Sequence, residues 1–468
     1  MFAKILQWIR ERIDKMLTTQ TLKSSMKVDA AISAPMATAL QTWCQMYENK
    51  ATWLSADVKS LNLAAAISSE IARAVTIEMQ VKLTGSARAD FLTAQLNPVL
   101  DKLRQQVEYG IAKGGLMLKP YVVGKQVLVD FVQADQFFPV SFDENGNITA
   151  CVFADTRQQG TWWYTRLEYH SMEDKGCKIT NRAFKSTVKD NLGNECPLTE
   201  VEVWKDLELE ATISPLEKPL FAYFRYPQAN NIDSTSPLGV SCFARAVSLV
   251  EQADRQWSDL LWEFDSGKRA LYIDVLAFGK DEDGKPILPN KRLYRTLETG
   301  SAEGELFEEW SPNFREQNLL AGLEAILRKV EFACGLAYGT LSNPQTIDKT
   351  ATELKISRQR SFVTVSDTQK SLEQALEQLL WAMDAWTTLS KLAPAGAYSA
   401  TYSWDDSIVV DREAMFAQDL RLVTSQIMGR LEFRMRNMGE DEATAKKQLA
   451  LVEVPETQDV FGQPMKGV

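Results

Sequence analysis

SNPQTIDKTATELKISRQRSFVTVSDTQKSLEQALEQLLWAMDAW, residues 342–386, opens on a helix stop and runs into a long helix whose two halves differ in kind. Pro344 disfavours helical backbone at Asn343, so whatever helix precedes it must end there. Thr350-Ala351-Thr352-Glu353 fits a capping box, in which the Thr350 hydroxyl and the Glu353 carboxylate satisfy each other's backbone donors. A helix is therefore predicted from Thr350 to about Leu392, roughly 65 Å at 1.5 Å per residue. Its back half carries Leu372, Leu376, Leu379, Met383, Trp386 and Leu389 as one apolar stripe. Its front half is polar and mildly basic. It contains Phe362–Val365, where β-branched residues lower helix propensity and hydroxyls can bond back to the preceding turn and bend the helix. A short strand over Phe362–Val365 is the competing reading. Between stop and box lies a short polar loop.

Working backward, Ser311-Pro312 predicts a helix start, with Leu319, Leu323, Ile326, Val330, Ala333 and Ala337 on its buried stripe. Ser236-Pro237 predicts another, with Val240, Phe243, Val247, Val250, Trp257, Leu261 and Phe264 spaced by threes and fours and Asp254 interrupting the seam. Between these helices sits a compact β-rich insert: RALYIDVLAF, the turn KDEDGKP, RLYRTL and an acidic run ending in EEW. The arrangement reads as a stalk with a tip.

The first 235 residues are mixed. Helical periodicity covers Ala34–Tyr47, Ala56–Ala74 and Arg88–Gly110, followed by a hairpin around Val123-Gly124-Lys125 and a meander through ITACVFAD, TWWYTRLEYH and KITNRAFKS. Trp162, Trp163, Tyr164 and Tyr169 are read as packing residues of that meander, with base stacking as the alternative. At the N-terminus, Phe2, Ile5, Leu6, Ile9, Ile13 and Leu17 form a helical stripe without the features of a signal peptide. It is read as docking on its own or a neighbouring subunit, with a membrane-surface helix as the alternative. After Pro394, AYSATYSWDDSIVV predicts a strand rejoining the sheet, and the chain from Asp411 onward is helical and charged.

The 468 residues imply two or more domains. A net charge of −10 argues against a broad nucleic-acid grip, which needs a basic footprint. The six cysteines have no C-x-x-C spacing and there is a single histidine, His170, so no zinc site or His-based catalytic set is expected. His170 is read as structural. Neither a Walker nor a dinucleotide glycine motif occurs, no apolar run is long enough to cross a bilayer, and no cofactor is expected. The best acidic constellation, Asp405, Asp406 and Asp411, could in chemical terms hold Mg²⁺, but at a strand end before a helix it is read as turn and cap groups, and no metal is expected. The absences favour a structural or assembly role over an enzyme.

Several stretches carry a resemblance: SLNLAAAISSEIARAVTIEMQVKLTG, EYGIAKGGLMLKPYV, VDFVQADQFFPVSFDENGNITACVF, NNIDSTSPLGVSCFARAVSLVEQADRQWSDLLWEFDSG, KVEFACGLAYGTLSNPQTIDKTATELKISRQRSFVTVSDTQ and YSWDDSIVVDREAMFAQDL. Together, and in this order, they resemble the portal proteins of tailed bacteriophages, specifically the SPP1 gp6-like family, over nearly the whole chain. The resemblance implies an α+β portal fold: a mixed α/β wing (1–235, with a strand at 394–410), a two-helix stem (236–264 and 311–341), a small α/β clip (265–310), a tunnel loop (342–349), a long tunnel helix (350–393) and a helical crown (411–468). It implies a homo-oligomeric ring, typically of twelve subunits, at one capsid vertex of the virion, assembled in the host cytoplasm. The partners it implies are double-stranded DNA passing through without sequence readout, the terminase large subunit, a head-completion (adaptor) protein, and the major capsid and scaffolding proteins; no membrane partner is implied. Asn343, Gln345, Thr346, Asp348 and Lys349 would face DNA, Lys355 and Arg358 would line the tunnel, and Asp281, Glu282, Asp283, Lys285, Glu305 and Glu308 would dock the motor. Another oligomeric virion protein, such as a head-tail connector, is the alternative.

Overall fold

The structure, a computed structural model, describes residues 19–173, 176–189, 191–267, 270–274, 294–297, 307–310, 315–343, 351–404 and 412–452. The predicted N-terminal stripe at 2–17 and the acidic residues Asp405, Asp406 and Asp411 lie outside them. The chain is mixed α and β and divides into two compact units, residues 1–403 and 404–468.

The larger unit is built around α4 (Ala87–Lys113), whose Ala89, Leu92, Leu96, Val99, Leu103, Val107 and Ile111 recur every three or four residues and are all buried. Gly114 ends this helix in the left-handed region, and β2 (Gly115–Val123) then turns back as the centre of a three-stranded antiparallel sheet. Its neighbours are β3 (Gln126–Gln133) and β10 (Ala222–Arg225). Six consecutive β2 residues, 115–120, are buried, because α4 and the long helix α7 (Ala351–Leu389) both pack on this sheet. The predicted meander is a second antiparallel sheet: β4 (Phe137–Phe142), β5 (Ile148–Gln159), β6 (Trp162–Glu173), β7 (Gly176–Ser186) and β8 (Asn194–Cys196), with β9 (Glu210–Ile213) also on β7. Helix α1 (Thr19–Met26) covers it through Leu22 and Met26, against Phe138, Val152, Leu167 and Phe184.

α2 (Ala34–Tyr47) occupies the predicted residues. α3 (Leu63–Thr76) begins seven residues later than predicted. The preceding stretch, 51–62, is an irregular strap whose amides go to side chains instead of a helix ladder: Lys59 N–H to Ser258 Oγ at 2.7 Å and Leu61 N–H to Asp254 Oδ1 at 2.7 Å.

A similar competition corrects the helix predicted from Ser236. Residues 236–243 are not helical; a 3₁₀ turn at Ala244–Ala246 leads into α5 (Val247–Ser266). Here the backbone is spent on the core. Gly239 N–H donates to the Tyr223 hydroxyl, Cys242 N–H to Ile111 O, and Leu238 O accepts from Asn230. Gly239 also lies so close to Gly114 that a Cβ on either would overlap the other's carbonyl oxygen. Val240 and Phe243 are buried as predicted, but by this docking and not on a helix face.

α6 (Glu316–Cys334) follows a three-stranded insert in which β11 (Ala270–Asp274) pairs in parallel with β12 (Tyr294–Leu297) and antiparallel with β13 (Phe307–Trp310). α6 stops at Gly335, short of the predicted Leu341, because Gly335 takes φ +71° and its N–H caps Glu331 and Phe332 carbonyls. α7 is one helix; Phe362–Val365 is helical and the strand alternative is not realised. Its buried stripe starts earlier than predicted, at Val365, Thr368 and Gln369, and continues through Leu372, Leu376, Leu379 and Met383 to Thr387. Trp386 is half-buried and Leu389 exposed. β14 (Tyr398–Ser403) does not rejoin the large sheet; it pairs antiparallel with β1 (Gln80–Gly85) as a two-stranded ribbon.

The smaller unit comprises α8 (Arg412–Thr424), α9 (Arg430–Met438) and α10 (Glu442–Val452). A buried Asp419 carboxylate accepts from Asn437 Nδ2 at 2.9 Å and pairs with Arg436, tying α8 to α9. No described helix is long and apolar enough to cross a membrane.

Candidate functional site

α5 and α6 form an antiparallel pair, as the contacts Glu263–Arg315 and Gln256–Leu319 fix. At the end nearest the insert, Glu263 accepts from Arg315 three times: Nη2 at 2.7 Å, the backbone N–H at 2.9 Å and Nε at 3.4 Å. That grip holds the Glu263 carboxyl below the ordinary carboxylate range. Further in, Asp254 is buried; burial pushes its carboxyl upward, opposed by the Trp53 indole N–H at 2.9 Å and the Leu61 amide. The acidic break in the predicted seam is thus where the 51–62 strap is tied to α5.

Around these ties the two helices leave apolar side chains in solvent. The α5 stripe of Val250, Ala253 and Leu260 is buried, yet Trp262 and Phe264 are 64% and 47% exposed. On α6, Leu323, Leu327 and Val330 are buried, but Leu320, one turn earlier on the same stripe, is 51% exposed. Leu320 continues its stripe beyond the buried part of α6, whereas Trp262 lies on the face of α5 opposite Ala253.

At the opposite end of α6 the chain passes through Gly335–Asn343 toward α7. This turn is held from both sides. From α6, Glu331 Oε1 accepts from Gly339 N–H at 3.0 Å, Leu341 N–H at 2.7 Å and Ser342 N–H at 2.9 Å, and Glu324 accepts from Asn343 N–H at 2.9 Å. From α7, the Thr364 hydroxyl donates to Gly335 O at 3.0 Å, and the Arg360 guanidinium lies 4.3 Å over the Phe332 ring. The hydroxyl that made SFVTVS look like a weak helix is the contact joining α7 to the end of α6.

Of the predicted DNA-facing residues, Asn343 is described and exposed; Gln345, Thr346, Asp348 and Lys349, and the cap Thr350, lie outside the described residues. The backbone places Glu353, Lys355 and Arg358 on the first turns of α7. Asp281, Glu282, Asp283, Lys285 and Glu305 lie outside the described residues, and Glu308 is on β13 opposite Tyr272. Among the described residues no group of three or more side chains could hold a metal. His170 is buried at 2.6 Å from Glu168, whose carboxyl is held well below its ordinary range by Lys119, His170 and Arg166 against the cost of burial. Its role there is packing and pairing, as predicted. Tyr164 and Tyr169 pack on the sheet cores, whereas Trp162 is 42% exposed with Lys185 over its ring.

Sequence reasoning missed Glu331, Glu324, Arg360, Thr364 and the Glu263–Arg315 grip. A signal existed for Glu331, a carboxylate on the stripe of Leu327, Val330 and Cys334. Nothing in the order of residues pairs Thr364 with Gly335.

A family described as phage portal protein, SPP1 Gp6-like, matches residues 62–429. Among solved structures, a chain from the neck of a native GTA particle computed with C12 symmetry covers 90% of this chain and 98% of its own length, at 11% identity and a TM-score of 0.45. No curated protein matches the chain.

Proposed function

The chain belongs to the SPP1 Gp6-like family of phage portal proteins, virion structural components, and from that premise we propose that it forms a twelve-subunit ring at the capsid vertex through which double-stranded DNA is packaged and ejected. In this reading residues 1–235 and 394–410 form the wing, α5 and α6 the stem, 265–310 the clip, 342–349 the tunnel loop, α7 the tunnel helix and 411–468 the crown. The clip is the platform for the terminase large subunit and later the head-completion protein, and the wing and crown meet capsid and scaffolding proteins.

The observation that carries the reading is the apolar excess on the stem pair. Trp262 and Leu320 are exposed on helices that bury Val250, Leu260, Leu323 and Val330, an arrangement a neighbouring copy would cover. Charge fits as well. Twelve copies at −10 each carry about −120, a field that keeps a passing polyanion from adhering to the wall. Contact with phosphates is then confined to a few positions, Lys349 first and Lys355 and Arg358 next.

Light scattering and negative-stain microscopy of the purified chain test this. Twelve copies of a 52.7-kDa chain give a particle of about 630 kDa with an axial hole; a monomer would overturn the proposal. Leu320→Asp is expected to shift the population toward monomers. Lys349→Ala is expected to leave the ring intact and alter packaging; equal packaging by that variant removes the loop contact from the proposal.

A further inference from the structure

We propose that Glu331 is a positioning residue for the DNA-facing loop, fixing the path on which the chain leaves the stem helix; this rests on the portal reading above. The side chain is fully buried in the last turn of α6. A carboxylate there is doubly disfavoured, by desolvation and by the negative end of the helix dipole. A leucine would extend the apolar stripe at no such cost. The carboxylate is instead satisfied by backbone: three amides, of Gly339, Leu341 and Ser342, converge on Oε1, while the Ser342 hydroxyl lies 3.1 and 3.0 Å from Oε1 and Oε2. No ion pair to Glu331 is found among the described residues.

These donors are consecutive or nearly so, and they end two residues before Pro344, which has no N–H of its own to offer. Glu324 takes the amide of Asn343, while Thr340 N–H closes on Ala337 O at 3.3 Å. The two α6 carboxylates therefore bind the turn mainly through backbone groups, with the Ser342 hydroxyl adding a side-chain bond. Thr364 of α7 reaches only Gly335, at the start of the turn. The last fixed point before the loop belongs to the stem helix, not to the tunnel helix.

Glu331→Ala leaves the Leu341 and Ser342 amides without an acceptor and the Gly339 amide with only the Ser342 hydroxyl, at 3.3 Å. Glu331→Gln keeps them, because its Oε1 can accept the amides while its NH₂ donates to Ser342 Oγ. With rings assembled from each variant, the alanine form is expected to keep the ring mass, speed amide exchange at Leu341 and Ser342 by at least about tenfold, and package linear double-stranded DNA at least about tenfold less well. The glutamine form should retain both properties to within about threefold. If the alanine ring fails to assemble, Ser342→Ala removes the hydroxyl alone and should give the same changes in smaller measure. Unchanged exchange in Glu331→Ala overturns the grip, and faster exchange with wild-type packaging overturns the positioning role. A wild-type chain that forms no ring or packages nothing sinks the portal reading instead, and the exchange result then stands by itself.

Discussion

Gly335→Ala should destabilise the chain through one atom of α7, and removing that atom should remove most of the effect. Gly335 holds φ +71°, where a Cβ costs about 1 kcal/mol. A Cβ built there overlaps Oγ1 of Thr364, while Cβ and Cγ2 of the same threonine stand at 3.6 Å, ordinary contact. The hydroxyl must therefore rotate away, at about 1 kcal/mol for an off-rotamer side chain. It also loses its bond to Gly335 O, about 1 kcal/mol more. The single substitution should then cost about 3 kcal/mol. Thr364→Ala by itself loses the bond and about one buried methyl, roughly 2 kcal/mol. In that background Gly335→Ala keeps only its backbone strain, about 1 kcal/mol, so the pair couples by about 2 kcal/mol. Urea denaturation followed by tryptophan fluorescence, on chains kept below their assembly concentration, supplies the four corners of the cycle. If the two substitutions add to within about 0.5 kcal/mol, the α6–α7 joint is not where the structure places it.

Other expectations follow from the same geometry. The stability gap between wild type and Arg315→Gln should be full near pH 7 and close as pH falls. The Glu263 carboxyl is depressed in the folded chain, so its contribution is present above the ordinary carboxylate value, about 4, and vanishes on protonation; a gap constant from pH 7 to 3 would contradict the pairing. All six thiols are pushed up by burial, Cys44 and Cys242 to about 12 and Cys177 to about 11. A thiol reagent at pH 8 should therefore label the native chain slowly and all six cysteines after unfolding; rapid labelling of native Cys242 would refute its burial. Asp254→Asn should cost about 1–3 kcal/mol although it removes a buried charge, because its NH₂ must face the Trp53 or the Leu61 N–H. An unchanged unfolding midpoint would show that the strap is held elsewhere.

Local signals were enough for much of this chain. Periodicity of three and four placed α2, α4, α6 and the back of α7, and alternation with glycine turns placed the β5–β6–β7 meander, because there mainly one face meets the core; the β2–β3 hairpin was placed by its β-rich runs around Gly124, since β2 is buried over six consecutive residues. The order of elements was enough to identify the family. Local signals failed where backbone donors had partners far away in sequence. Ser236-Pro237 has the chemistry of a helix start, but Tyr223, Asn230 and Ile111 take up the backbone of the residues that follow, and the helix waits until Val247. Ala56 lies in a helical pattern, but Asp254 and Ser258, some 200 residues on, hold the strap in an irregular path. The same holds for the front of α7. Its sequence showed weak propensity and no obvious core; the fold shows Val365 already buried and Thr364 capping a neighbouring helix, a pairing of residues 29 apart that no helical or strand period encodes. Composition and periodicity thus determined which faces are apolar. Which polar side chains became fasteners was decided only by tertiary structure, since a carboxylate such as Glu331 is a solvated charge or a buried grip depending on the backbone brought to meet it.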